Sequence, residues 1–422
     1  MFKVMEKENR MRRVCSRALA VMLALLFCIP VLNLQPSAYA LSDGMIRVKL
    51  TRLGSPSSIT MKATCDYYLS GNPSVRVAAG STMKVSVVSG NLSLTVGEST
   101  VALGGAARLM RSKSGNYGVQ FIAPSLSNLF CGDLFFYASG STITTILNIY
   151  IENYLYGVVG YEISPSSGIE ALKAQAVAAR NYALRQKSAR VSSSYDVTDS
   201  TSDQVFKGYN ASSSYANVVK AVDATKGGVL YYGNALAACY YSASNGGQTE
   251  STRNVWGGKL AYSVVKDDPY DYESSGTKKT AAIKKNASGL HADLKNALIT
   301  GMAGQLAAAG CSTAAGDIEI NAIESITPCN PKYAEPSRLY KTLTFKLKVT
   351  GKTSAGESRT GMVSVDIPTY GAFESWYSLS INSSDNETVW VAETEDTFQV
   401  RFMRNGHGVG MSQRGAQVMA KN

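Results

Sequence analysis

Histidine is almost missing from this 422-residue chain, which has only His291 and His407. His291 has no nearby arrangement of Cys, Asp or Glu that suggests a ligand set, so it reads as a surface side chain. Cysteine is sparse too: the seven residues are widely spaced and contain no C-x-x-C, which leaves a structural zinc cluster without a basis. No metal or other cofactor is therefore expected. Neither Ser242 nor Ser244 sits in a G-x-S-x-G, so the usual framework of a serine hydrolase is absent, and their Asn and Gly neighbours explain them as turn residues. The glycines at 406, 408 and 410 lack the G-x-x-x-x-G-K-[ST] form of a phosphate loop.

What is present begins with an export signal. Lys3, Lys7, Arg10, Arg12, Arg13 and Arg17 form a basic leader, residues 18–34 an apolar run, and Ala38-Tyr39-Ala40 a cleavage triplet. The reading is a signal peptide over 1–40. The rival is an uncleaved membrane anchor through 18–34, against which Pro30 and the triplet argue. Either way the rest of the chain is expected outside the cytoplasm, secreted or associated with the cell wall. Cleavage would remove six basic and two acidic residues, lowering the formal charge from +11 to +7. A basic exported protein suits an anionic surface such as cell wall or membrane, and export makes nucleic acid an unsuitable partner.

Cys15 and Cys28 would leave with the signal. Of the remaining five, Cys311 and Cys329 are candidates for a disulfide, and Cys65, Cys131 and Cys239 read as buried thiols.

The fold class expected is α+β, mixed and strand-rich, with an Ala-rich central helix and two lobes around a substrate groove. Residues 41–150 hold short β-rich runs (IRVKL, ITMKA, SVRVAA, MKVSVVS, LSLTV, YGVQFIA, TITTILNIYI) broken by Gly, Ser and Asn. Residues 151–422 would form the core, with a peripheral, mostly helical segment over 274–315 marked by Leu290, Leu294, Leu298 and Leu306. A hairpin is predicted around Gly233-Asn234, and strands at 317–326, 342–349, 361–365 and 397–402.

The chain is organised around residues 154–184, YLYGVVGYEISPSSGIEALKAQAVAARNYAL. Ser167 and Glu170 have capping-box spacing after Pro165, and Ile169, Leu172, Ala176, Ala179 and Leu184 mark one buried helix face. The residues before Pro165 read as a strand end turning through glycine into a loop, which presents Glu162. Glu162 is either a catalytic carboxylate or a loop acid paired with a basic residue such as Arg180.

Here the chain resembles the stage II sporulation protein D (SpoIID/LytB) family. A second stretch, Asn405-Gly406-His407-Gly408-Val409-Gly410-Met411-Ser412-Gln413-Arg414-Gly415-Ala416, resembles the family's other signature, and weaker echoes lie at 203–208, 241–247, 255–258 and 268–271. One departure is Gly160-Tyr161, where the family pattern often has Pro-Ser before the glutamate.

The resemblance implies a peptidoglycan lytic transglycosylase that cleaves glycan strands to 1,6-anhydromuramic ends. Hydrolytic glycosidases use two carboxylates, and no second acid stands out in either signature. In a lytic transglycosylase one Glu protonates the leaving oxygen and then, as carboxylate, helps the muramic 6-hydroxyl close onto C1. Glu162 would be that residue, with its pKa raised by desolvation beside Val158, Val159, Tyr161 and Ile163. Arg180, Gln204, Ser242, Ser244, Asn245, Gly246, Gly247, His407, Ser412 and Gln413 would line the groove, His407 by bonding Glu162 or a sugar or by tying its own loop. The LytB name implies the alternative, a non-catalytic wall-binding enhancer of an N-acetylmuramoyl-L-alanine amidase, with that amidase as partner.

Overall fold

The computed structural model describes residues 44–274, 277–334 and 336–422. The expected signal or anchor over 1–40 lies outside the described residues. Within them no helix is long and apolar enough to cross a membrane.

The N-terminal strands form where alternation is strict. Met45–Lys49 buries Ile46 and Val48 and pairs antiparallel with Thr142–Tyr150, Met45 opposite Tyr150. They sit in a seven-stranded sheet, beside a six-stranded sheet centred on Ser58–Ala63 and Thr82–Val88. Strands at Tyr67–Leu69, Ser99–Gly104, Ala106–Arg111 and Asp133–Ser139 are additional to the predicted runs. Among the described residues the sheets form no closed barrel, and the architecture is mixed α+β.

Out of Thr142–Tyr150 the chain enters helices α1 (Ile151–Tyr156), α2 (Val159–Glu162) and α3 (Ile169–Ala189). Two expectations are corrected here. Residues 157–162 close a helical turn instead of a loop, because Val158 O accepts the N–H of Glu162 at 3.0 Å. The capping box does not form: α3 is entered through Gly168, and Ser167 is buried, accepting from Gln417 Nε2 at 2.8 Å. Leu172, Ala176, Ala179 and Leu184 are buried as expected, but Ile169 is exposed. Buried Gln175, Arg180 and Asn181 show that α3 is packed on more than one face.

Helix α4 (Ala216–Ala224) packs on α3, followed by the hairpin Tyr231–Tyr232 to Ala235–Leu236. Short helices α5 (Thr252–Trp256) and α6 (Pro269–Glu273) precede the second part of the chain. There the expected peripheral segment opens with a strand, Lys278–Lys284, paired with Thr397–Met403, before α7 (Ala292–Ala308) buries Leu294, Leu298 and Leu306. His291 is half-exposed and caps α7 by accepting the N–H of Asp293. The long strands Ile318–Pro331, Tyr340–Lys352 and Ser358–Pro368 make a meander, and α8 (Glu374–Trp376) and α9 (Gln413–Met419) complete the helices.

The buried apolar residues fall into two clusters, one drawn from residues 46–229 and one from 281–402. The five described cysteines are free. Cys311 lies opposite Thr353 and Cys329 opposite Thr342, at opposite ends of Tyr340–Lys352, so the Cys311–Cys329 disulfide is ruled out by about 35 Å of strand. Cys239 is only half-buried.

Candidate functional site

Glu162 ends α2 with its side chain half-buried. Its Oε1 accepts the N–H of Val205 at 2.7 Å, and the phenol of Tyr241 bonds the carboxyl group. Behind Tyr241, buried Gln204 donates Nε2 to the phenol oxygen at 2.9 Å, while Tyr154 donates to Gln204 Oε1 at 3.2 Å. Because the Tyr241 oxygen already accepts from Gln204, its own proton is directed to Glu162. Among the described residues none of these partners is a cation.

Burial lifts the Glu162 pKa above the ordinary glutamate value; the bonds from Val205 and Tyr241 pull it down but do not cancel the rise. Burial and the nearby Glu162 charge push the Tyr241 phenol far upward, so it stays a hydrogen-bond donor. Tyr161 forms a wall beside the acid's turn. Its hydroxyl accepts from Asn128 at 2.5 Å and Asn210 at 3.4 Å, its ring lies 5.3 Å from that of Tyr215, and Lys207 sits over it.

Arg180 does not reach Glu162. It is buried on α3 and forms a two-pronged pair with Glu152 on α1, at 2.6 and 3.1 Å, and its remaining prong donates to Gly228 O at 3.0 Å. All three donor groups are thus committed to bracing α1 and the start of the hairpin against α3.

The 242–247 loop is also committed inward. Ser244 and Asn245 are fully buried, with bonds at 2.8 Å to Asp271 Oδ2 and Asp268 Oδ2. Asp271 also accepts Ser412 Oγ at 2.8 Å and the N–H of Gly247 at 3.1 Å, so it joins both signature loops. Ser412 in turn caps α9 through Gly415 N–H at 3.0 Å. Buried Arg404 crosses between the loops, donating to Asn245 O and Gln248 O at 3.0 Å and lying 3.6 Å from Glu250. The side chains of Ser244, Asn245 and Ser412 thus bond to Asp268 and Asp271 at the start of α6.

The loop glycines serve the same closure. At Gly410, with φ 77°, a Cβ would collide with the Tyr240 carbonyl oxygen; at Gly246, with φ 71°, it would meet Thr388 and the Met403 backbone. The close approach at these two glycines is to neighbouring chain.

His407 is tied to its own loop. Its Nδ1 accepts the N–H of Val409 at 3.0 Å, its ring packs on Trp256 at 4.9 Å, and burial, set against a bond to the Tyr241 backbone, keeps its pKa below the usual histidine value. Gln413 donates to Gln175 on α3 at 3.3 Å. Two buried polar atoms here, Gln175 Nε2 and Ser242 Oγ, have no partner.

The structure thus brings Gln204 to Glu162 through Tyr241, and assigns Arg180, Ser244, Asn245, Gly246, Gly247, His407 and Ser412 to the surrounding framework. Sequence reasoning missed Tyr241, Tyr154, Asp271 and Arg404. Strand alternation held a signal for the first: Tyr241 precedes Ser242 on a short strand, which sends the two side chains to opposite faces. That strand pairs in parallel with Met411–Ser412 and so couples the second signature to the acid.

Residues 139–232 match the family model for SpoIID, stage II sporulation protein, a span that contains Glu162, Arg180 and Gln204. The chain is 30% identical over 281 residues to an amidase enhancer of Bacillus subtilis, covering 63% of this chain and 37% of that protein. It is 32% identical over 228 residues to an uncharacterised protein of Brachyspira hyodysenteriae, covering 54% and 59%. With stage II sporulation protein D of Bacillus subtilis it shares 29% identity over 293 residues, covering 66% and 70%. It therefore spans well under two thirds of the amidase enhancer and somewhat under two thirds of the Brachyspira protein. The matched domain at residues 139–232 and these relatives together support the SpoIID family for this chain.

Proposed function

We propose that this protein is a peptidoglycan lytic transglycosylase acting outside the cytoplasm in cell-wall remodelling or sporulation, with Glu162 as its acid and base. The observation that carries this reading is a half-buried glutamate whose pKa is raised by burial, held by one backbone N–H and one phenol, with no cation among these partners in the described residues. Such an acid keeps its proton to higher pH than an exposed glutamate and can deliver it.

In the proposed reaction the Glu162 proton passes to the glycosidic oxygen as the bond to muramic C1 breaks. The carboxylate then takes the proton of the muramic 6-hydroxyl as O6 bonds C1, which closes the anhydro ring and restores the acid. The substrate supplies the nucleophile, so a second protein carboxylate is unnecessary. Tyr241 and Val205 stabilise the carboxylate between the two proton transfers, and Gln204 and Tyr154 hold Tyr241 in place. Likeness to stage II sporulation protein D supports the wall and sporulation setting.

A second reading is favoured by the likeness to an amidase enhancer: a wall-binding protein that stimulates an N-acetylmuramoyl-L-alanine amidase without cutting glycan. Mass spectrometry of products from intact and amidase-stripped peptidoglycan separates the two. Anhydromuramic ends from the wild type and none from Glu162→Gln are the expected result. Absence of such ends with both proteins, while each still binds glycan and stimulates an amidase, would leave the enhancer reading.

A further inference from the structure

Away from Glu162, a cavity of about 520 Å³ opens between the 111–117 loop, the start of α1 and the end of α4. This is within the size range of small-ligand sites. Arg111, Asn116, Tyr150, Asn153, Tyr156 and Lys226 line it. Its acids are already engaged: Glu152 is paired with Arg180, and Asp223 accepts the Tyr156 hydroxyl at 2.5 Å. Lys226 is exposed, 5.7 Å over the Tyr150 ring, and among the described residues its ammonium has no carboxylate partner. Asn153 donates to Asn116 at 3.0 Å, placing two amides together in the wall.

The cavity also connects to the acid's turn. Tyr156 packs against Tyr209 at 6.0 Å, Asn210 beside it bonds the Tyr161 hydroxyl, and Tyr161 packs against Tyr215 at 5.3 Å. These four rings are half-buried, so each keeps an edge or face in solvent. A tyrosine ring packs on the C–H face of a pyranose, its hydroxyl and neighbouring amides bond sugar hydroxyls and acetamido groups, and an unpaired ammonium complements a carboxylate.

We propose that this cavity is an accessory binding site for a saccharide bearing a carboxylate, and that the tyrosine row leads the same chain of sugars toward Glu162. The proposal rests on the reading of glycan as substrate and adds where, away from the reacting bond, the strand is gripped. The carboxylate sits by Lys226 with Arg111 on the same wall, and a sugar ring lies against Tyr150 or Tyr156.

The test measures binding by calorimetry in a Glu162→Gln background, so that no ligand is consumed. The probes are a tetrasaccharide of alternating N-acetylglucosamine and N-acetylmuramic acid with free lactyl carboxylates, and neutral tetra-N-acetylchitotetraose. Lys226→Glu is compared with Lys220→Glu, an equal charge change on exposed α4 outside the cavity lining. Expected are tighter binding of the anionic probe, weakening by about fivefold or more in Lys226→Glu with the preference abolished, and little change in Lys220→Glu. Equal affinity in the two variants, with unchanged circular-dichroism melts, would overturn the site. So would failure of the parent protein to bind either sugar. Product formation by the protein with Glu162 intact is scored separately: cleavage without cavity dependence sinks this proposal alone, and cavity-dependent binding without cleavage sinks the transglycosylase reading alone.

Discussion

The surroundings of Glu162 and the paired loops at 242–247 and 405–413 both stand among the stretches that resemble the family and are opposite in physical state. Around Asp271 and Arg404 the polar side chains are buried and bonded to one another, which gives a closed brace. At Glu162 a carboxyl group is desolvated yet left with few partners and partial access to solvent. A satisfied network has little left to offer a ligand, whereas an under-bonded acid is poised to exchange a proton. The stretches that resemble the family thus contain both a desolvated carboxyl group and a closed polar brace.

The sharpest way to test that contrast is Glu162→Gln. If the proposed reaction is right, glycan cleavage falls by about 10²–10⁴-fold, read as anhydromuramic products per unit time. Stability should not fall with it. An acid with a raised folded pKa makes the folded state bind the proton more strongly, so stability is highest below the unfolded value near 4.5 and declines as pH rises toward the folded value. Glutamine does not titrate, and the variant's melting temperature should equal or exceed that of the wild type at pH 7; a clear drop would mean that Glu162 is a structural brace.

Arg404→Ala should show the opposite profile. Removing this buried cation leaves Glu250 and two backbone carbonyls without it, at a cost of about 3–5 kcal/mol in denaturant unfolding. Loss of activity without loss of stability would break the assignment of these loops as a brace.

Tyr241→Phe removes the hydroxyl that joins the two regions. A hydrogen bond to a charged group contributes about 1.5–3 kcal/mol, so cleavage should slow by about 10–100-fold. The pH profile carries the sign: without the phenol the Glu162 pKa rises further, and the alkaline limb of activity, where the acid loses its proton, should move to higher pH. An unmoved limb would separate Tyr241 from the acid.

The smallest effect is expected at Ser242→Ala. Its buried hydroxyl has no partner, so removal should be neutral or stabilising by about 1 kcal/mol in the same unfolding assay. A marked fall in glycan affinity would reopen the loop as a binding surface.

Much of this was legible in the sequence because it depends on local pattern. Strict alternation marked Met45–Lys49 and Thr82–Val88, and small apolar residues at helical spacing marked α3. Glu162 stood out as the acid just ahead of the predicted helix in a long, unusual motif. What could not be read were partners distant in the chain. Arg180 lies nearer to Glu162 than to Glu152 along the chain, yet the packing of α1 on α3 pairs it with Glu152. Asp271 gathers Ser244 and Ser412, and Tyr241 reaches Glu162 across 79 residues of chain, for the same reason.

By itself, then, the sequence determined the strictly periodic elements, the family likeness and the candidate acid, because backbone propensity, periodicity and motif are properties of neighbours. Only the tertiary structure decided which polar groups are satisfied and which carboxyl is desolvated. Those depend on long-range packing, since hydrogen bonding and desolvation act through space, where residues far apart along the chain meet.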